Sequence, residues 1–128
     1  MKRSRRQKNQ TPEEKQHIAM LHTLPCSVSN PGQPDEYNMT AHHVHGGSML
    51  DIDGFDNPGW SQKSSDWLAI PLHWHYHTGA LGIDVVGVQT WERNNITQVK
   101  CIDNLCARLG VNLWRKAGID RTIEGASC

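Results

Sequence analysis

A single small α+β domain is what this sequence predicts, on three observations. Its 128 residues are enough for one hydrophobic core and too few for two. Capped segments with helical apolar spacing lie toward either end, while the stretch between them offers short β-compatible runs interrupted by glycine and proline. Six of the eight histidines fall in two clusters on those runs, "AHHVHG" and "LHWHYH".

Composition divides the chain into three regions. Residues 1–10 read as a basic flexible arm: Lys2, Arg3, Arg5, Arg6 and Lys8 are five of thirteen basic residues in a chain of zero formal net charge, so the remainder is acidic. Such a run is solvated by itself and contacts phosphates where the partner is a nucleic acid such as DNA. Residues 11–116 read as the domain, and 117–128, with little apolar content, as a loose tail. No apolar segment approaches the roughly 20 residues that cross a bilayer, and the charged start lacks a signal peptide's apolar run, so a cytoplasmic protein without a membrane partner is expected. Cys26, Cys101, Cys106 and Cys128 form no Cys-x-x-Cys pair, so neither a disulfide framework nor a four-thiolate zinc site is legible.

The first helix should begin in "TPEEKQHIAMLHTL", where Thr11 can cap, Pro12 suits the first helical position and Glu14 completes a capping box. Ile18, Met20, Leu21 and Leu24 would form its buried face, leaving His17 and His22 at the surface or boundary. A loop passing Cys26 follows, then a strand within "YNMTAHHVH" halted by Gly46 and Gly47. The long stretch "GGSMLDIDGFDNPGWSQKSS" reads as loop. Its Asp51, Asp53 and Asp56 cluster as calcium ligands do, but the EF-hand spacing and terminal glutamate are missing. "DWLAIPL" is the second strand, with Pro71 at a strand end or edge. A short helix around Trp91 precedes a longer one starting at Thr97, with Val99, Ile102, Leu105, Cys106 and Leu109 as its stripe and Gly110 as its exit.

Histidine is the commonest metal ligand and the usual general base near neutral pH. Singly, each would read as a half-buried polar residue satisfied by the backbone; clustered on two adjacent elements, they point to a site. In "LHWHYH" a strand would place His73, His75 and His77 on one face. A helix beginning near His73 would put His73 and His77 one turn apart and turn His75 away. A strand ending in His-His, a loop, a second strand and a histidine-bearing helix is the order of the ββα-metal, or HNH, endonucleases. Phosphodiester hydrolysis explains that layout, because a base must deprotonate water on one side while a metal stabilises charge on the other. Adjacent strand residues face opposite ways, so His42 can face the metal and His43 the water.

The run "LPCSVS…AHHVHGG…DWLAIPLHWHYHTGALGID…TWE" resembles the phage recombination-enhancement nucleases, RecA-dependent members of the HNH superfamily, over residues 11 to 110. His42 and His43 match that family's His-His pair, Ile70, Pro71 and Leu72 its strand, His77 the second histidine of its later pair, and Trp91 and Glu92 its final element. Ser29 stands where the family has the second thiol of Cys-x-x-Cys, His73 replaces a cysteine, Tyr76 a histidine, and Asp84 the histidine after Gly-Ile. Cys26, His73 and His75 remain as a reduced set for a structural zinc.

The resemblance implies a small domain with a ββα-metal (HNH-like) core flanked by helices and acting as a metal-dependent DNA endonuclease. His43 would be its general base, and His42, His77 and Asp84 would bind catalytic Mg²⁺ or Mn²⁺, with Zn²⁺ also admitted. It further implies a RecA-type recombinase filament as partner. Two alternatives stay open: a non-catalytic zinc-stabilised nucleic-acid-binding module, and a metallohydrolase acting on something smaller than DNA, including a strand carrying all three histidines on one ion.

Overall fold

The computed structural model describes residues 10–28, 38–59 and 62–123. The arm residues Lys2, Arg3, Arg5, Arg6 and Lys8, and also Ser29, lie outside them. The described residues form an α+β domain with one two-stranded antiparallel sheet and several helices, none long and apolar enough to cross a membrane.

Helix α1 (Pro12–Leu21) starts on the expected capping box. The Glu14 N–H donates to Thr11 Oγ1 at 3.1 Å, and the Thr11 N–H donates to the Glu14 carboxylate at 2.8 Å. Leu21 is buried as expected, but so is His17, whose ring lies 5.0 Å from that of Trp67. His17 precedes Leu21 by four residues and therefore shares its inward face. His22 stays at the boundary, where Nδ1–H donates to the Met39 carbonyl at 3.0 Å.

Strand β1 (Met39–His43) pairs with β2 (Ala69–His73), placing His42 opposite Ile70 and His43 opposite Ala69. Asp66–Leu68, expected as part of the strand, is a 3₁₀ turn capped by Ser65. Pro71 lies in mid-strand. Its carbonyl turns outward to accept from the Ser27 N–H at 2.9 Å, so its nitrogen also faces away from β1 and no ladder bond is lost. Between the strands, the stretch expected as loop contains a 3₁₀ turn, Gly47–Asp51, that buries Met49 completely.

Helix α2 (Trp74–His77) begins immediately after β2, with His73 as its cap. A tight turn then leads to α3 (Ile83–Val86), and a Cβ on Gly82 would run into the His77 carbonyl and the Thr78 nitrogen. This close approach sets Asp84 beside His77. Helix α4 (Val88–Asn94) buries Trp91; α5 (Gln98–Leu109) has the expected Thr97 cap and ends at Gly110 in the left-handed region. Ile102, Leu105 and Cys106 are buried along its stripe, and Cys101 packs beside them.

The segment expected to be loose from Ala117 is fastened to the domain as far as it is described. Helix α6 (Leu113–Lys116) buries Trp114, Ile119 is 5% exposed, and Arg121 contacts Asp103 at 2.6 Å. Asp103 also accepts from the Trp114 indole at 2.8 Å.

Gly82→Ala is expected to cost on the order of 1–3 kcal/mol by forcing apart the α2 and α3 backbones. Gly110→Ala meets no neighbour within 4 Å and should cost only its left-handed backbone, about 1 kcal/mol. Urea unfolding of both variants checks this; equal losses would remove the steric role given to Gly82.

Candidate metal centre

Alternation along β1 puts Thr40 and His42 on one face and His43 on the other. Helix α2 lays His77 across the first face, its ring edge-on to that of His42 with centroids 5.0 Å apart. The first turn of α3 adds Asp84, whose Oδ2 lies 3.5 Å from His77 Nε2. One ligand atom from each of His42, His77 and Asp84 lies within 4.8 Å of the other two, the one such group of three among the described residues.

Hydrogen bonds determine which imidazole nitrogens are free. The Thr40 hydroxyl donates its single proton to the Leu72 carbonyl at 2.7 Å. It must therefore accept from His77 Nδ1–H, also at 2.7 Å, which leaves the lone pair on His77 Nε2. His42 Nε2 meets Gln98 Oε1 at 3.0 Å. That oxygen also accepts from the His45 N–H, while the Gln98 amide nitrogen donates to the His45 carbonyl at 2.9 Å, so the amide cannot be flipped. His42 thus donates from Nε2 and keeps its lone pair on Nδ1.

The donor set fits a divalent cation. His77 Nε2 presents a lone pair to a carboxylate oxygen at 3.5 Å, a repulsive contact without a positive charge between them. Two ligand atoms bound about 2.1 Å from one ion stand roughly 3.0–3.5 Å apart, so the His77–Asp84 spacing suits a shared ion. Two imidazoles and a carboxylate favour Mn²⁺ or Zn²⁺ over Mg²⁺. Asp84 is partly exposed, giving the group an open side.

Burial depresses His42 most, to about 3 from the usual 6.5; the Gln98 hydrogen bond opposes the shift, and charge on His77, His45 and His43 adds to it. His77 is also lowered, chiefly by burial, against the attraction of Asp84. Both rings are neutral at pH 7 and need lose no proton to bind a metal.

His43 is the last residue of β1. Its Nε2 lies 2.7 Å from Asp66 Oδ1, and Gln10 donates to the other Asp66 oxygen at 2.7 Å. Burial works to raise the Asp66 pKa, but hydrogen bonds from His43 and Gln10, with charge on His43 and Lys63, outweigh it and hold the carboxyl below its usual value. An ionised carboxylate only accepts, so His43 donates from Nε2 and Nδ1 is left as a base. His43 is near enough for its charge to act on both His42 and His77.

Asp66, Thr40, Gln98 and Glu92 had no assigned role in the sequence reading. For Asp66 a signal was present: antiparallel pairing that places Ala69 of "LAIPL" opposite His43 brings this aspartate, three residues earlier, to the same end of the sheet. Glu92, matched only as a motif residue, braces the His42 support. It accepts from the Ser48 N–H at 2.9 Å, the Ser48 hydroxyl at 2.7 Å and the Gln98 N–H at 2.8 Å.

Cys26, His73 and His75 do not gather into a structural site. Cys26 Sγ accepts from the His73 backbone N–H at 3.2 Å, while the His73 ring folds over the start of α2 and stacks on His75 at 5.3 Å. His73 therefore shares a side with His75 and not with His77, against the helical expectation. Asp51, Asp53 and Asp56 likewise form no ligand group among the described residues. His45 places its ring 5.5 Å from His42.

No family model, curated protein or solved structure matches this chain.

Two outcomes are expected. Below pH 6.5 the unfolded chain protonates His42 while the folded protein holds it neutral to about pH 3, so the unfolded state binds more protons across that window. Stability should be full above pH 6.5 and fall with acidification, by on the order of 2 kcal/mol between pH 6.5 and 5 from this residue alone. Urea titrations at the two pH values read it; an unchanged midpoint would contradict a neutral buried His42. Thr40→Val should weaken Mn²⁺ binding roughly 10–100-fold, while Thr40→Ser, which keeps the acceptor, should stay near the parent by calorimetry.

Proposed function

We propose that this protein is a metal-dependent DNA endonuclease of the ββα-metal (HNH-like) type, hydrolysing phosphodiester bonds. The observation that carries the proposal is the pairing of two arrangements on one strand. His42, His77 and Asp84 bring one ligand atom each to within 4.8 Å of the other two, while the next residue, His43, forms a carboxylate-supported base with Asp66. Strand, strand and helix follow in the order such a site requires.

His42, His77 and Asp84 hold the ion, which when bound stabilises negative charge on the phosphate and the departing oxygen. His43 Nδ1 takes the proton of the attacking water as its oxygen bonds to phosphorus. Asp66 fixes the imidazole orientation and stabilises the positive charge that His43 acquires. Thr40 and Gln98 keep the two ligand rings in the required tautomers. The basic arm holds phosphates along the strand. Three protein ligands and a partly exposed carboxylate leave room for substrate, as catalytic sites do and closed four-ligand structural sites do not. Recombination beside a RecA-type filament remains part of the proposal through the motif resemblance.

Cleavage of supercoiled and single-stranded DNA, with Mn²⁺, Mg²⁺ or EDTA and with or without a recombinase filament, tests the assignment. His43→Ala should lower cleavage roughly 10²–10⁴-fold while leaving metal content unchanged. His77→Ala and Asp84→Ala should each lose the metal, and Asp66→Asn should slow cleavage roughly 10–100-fold. EDTA should stop cutting and leave the fold intact. Parental cutting by His43→Ala would overturn the proposal; unfolding on chelation without any cutting would favour a zinc-stabilised binding module.

A further inference from the structure

Helix α2 supplies His77 to the metal centre and also presents a stack of rings to solvent. Of Trp67, Trp74, Trp91 and Trp114, only Trp74 is exposed, at 42%. The His75 ring lies 4.6 Å from the indole at an interplanar angle of 35°, and the His73 ring lies 5.3 Å beyond at 20°. An exposed ring on a mobile side chain would mean little, but this one is held. Its main chain is fixed, the Trp74 backbone N–H donating to the Asn38 carbonyl at 2.8 Å and the Trp74 carbonyl accepting from the Thr78 and Gly79 N–H groups at 2.9 and 2.8 Å. The indole lies so close to Gly79 that a Cβ there would overlap its six-membered ring. Leu81 and Val85, 58% and 59% exposed, extend apolar surface on either side of Asp84 in the chain.

A rigid, exposed series of rings three residues from a metal ligand suits flat, unpaired partners. Nucleic-acid bases in a duplex have both faces covered by their neighbours, whereas bases of a single strand offer a face for stacking. The indole carries no charge to attract phosphate; the basic residues of the first eight positions supply that attraction separately.

We propose that Trp74, His75 and His73 form a base-stacking platform, and that the polymer it takes is single-stranded nucleic acid. A strand stacked on Trp74 runs past His77 and Asp84, so the platform selects unpaired segments for the metal centre. The inference rests on the nuclease reading for the fate of that strand; binding itself is independent of it.

The test is fluorescence anisotropy in EDTA, using the full chain and labelled oligothymidylate of about 20 nucleotides, a duplex of the same length and an abasic strand. The parent should bind the oligothymidylate more tightly than the duplex. Trp74→Ala should weaken oligothymidylate binding roughly tenfold or more, and Trp74→Phe should restore most of it. Duplex and abasic strands should bind parent and Trp74→Ala alike, and Mn²⁺ affinity and thermal midpoint should stay near the parent's. Equal parental affinity for single strand and duplex, unchanged oligothymidylate binding by Trp74→Ala, or equal losses on all three polymers would each overturn the platform. Because nothing is cut in EDTA, the nuclease reading can fail with the platform standing, and the platform can fail while metal-dependent cleavage persists.

Discussion

The buried side-chain amide of Gln98 is the contact on which the rest of the site depends. Its oxygen accepts from His42 Nε2 and the His45 N–H, and its nitrogen donates to the carbonyls of His45 and Gly46. A buried amide is costly unless its donors and acceptors are all matched. Here the matching leaves one orientation, and with it one tautomer of His42. The same four contacts hold the chain where it leaves β1, so ligand orientation and loop position share one support. Glu92 secures that support from below through Ser48 and the Gln98 backbone.

Around this contact, short elements do what none would do alone. Helices α2 and α3 have four residues each, too few to persist in isolation. The His73 cap, the Gly82 approach and the bond between Thr40 and His77 hold them on the sheet. Precision at His77 and Asp84 is therefore borrowed from a strand whose opposite partner, β2, is buried against the core.

Electrostatics ties function to stability in the same place. Desolvation keeps His42 neutral, which suits a metal ligand and makes the fold sensitive to acid. His43, one residue later and on the other face, has a carboxylate partner instead. A single step along β1 thus separates two histidine environments, one buried, uncharged and bonded to an amide, the other paired with a carboxylate.

The capping box at Thr11, the Thr97 start and the Gly110 exit were legible in the sequence because each is a contact across a few residues. So was the placing of His42 and His43 on opposite faces, since strand alternation is local. Burial of His17 and Met49, the fastening of Ile119 and Arg121, and the separation of His73 from His77 were not, because each depends on which surfaces meet. The sequence by itself determined an α+β chain with its histidines on two neighbouring elements, through caps, periodicity and residue chemistry. Only the tertiary structure decided that Asp66 lies against His43, 23 residues away, and Gln98 against His42, 56 residues away. Strand register and the seating of α5 set those pairs, and hydrogen-bond partners brought from distant positions have no signature in local spacing.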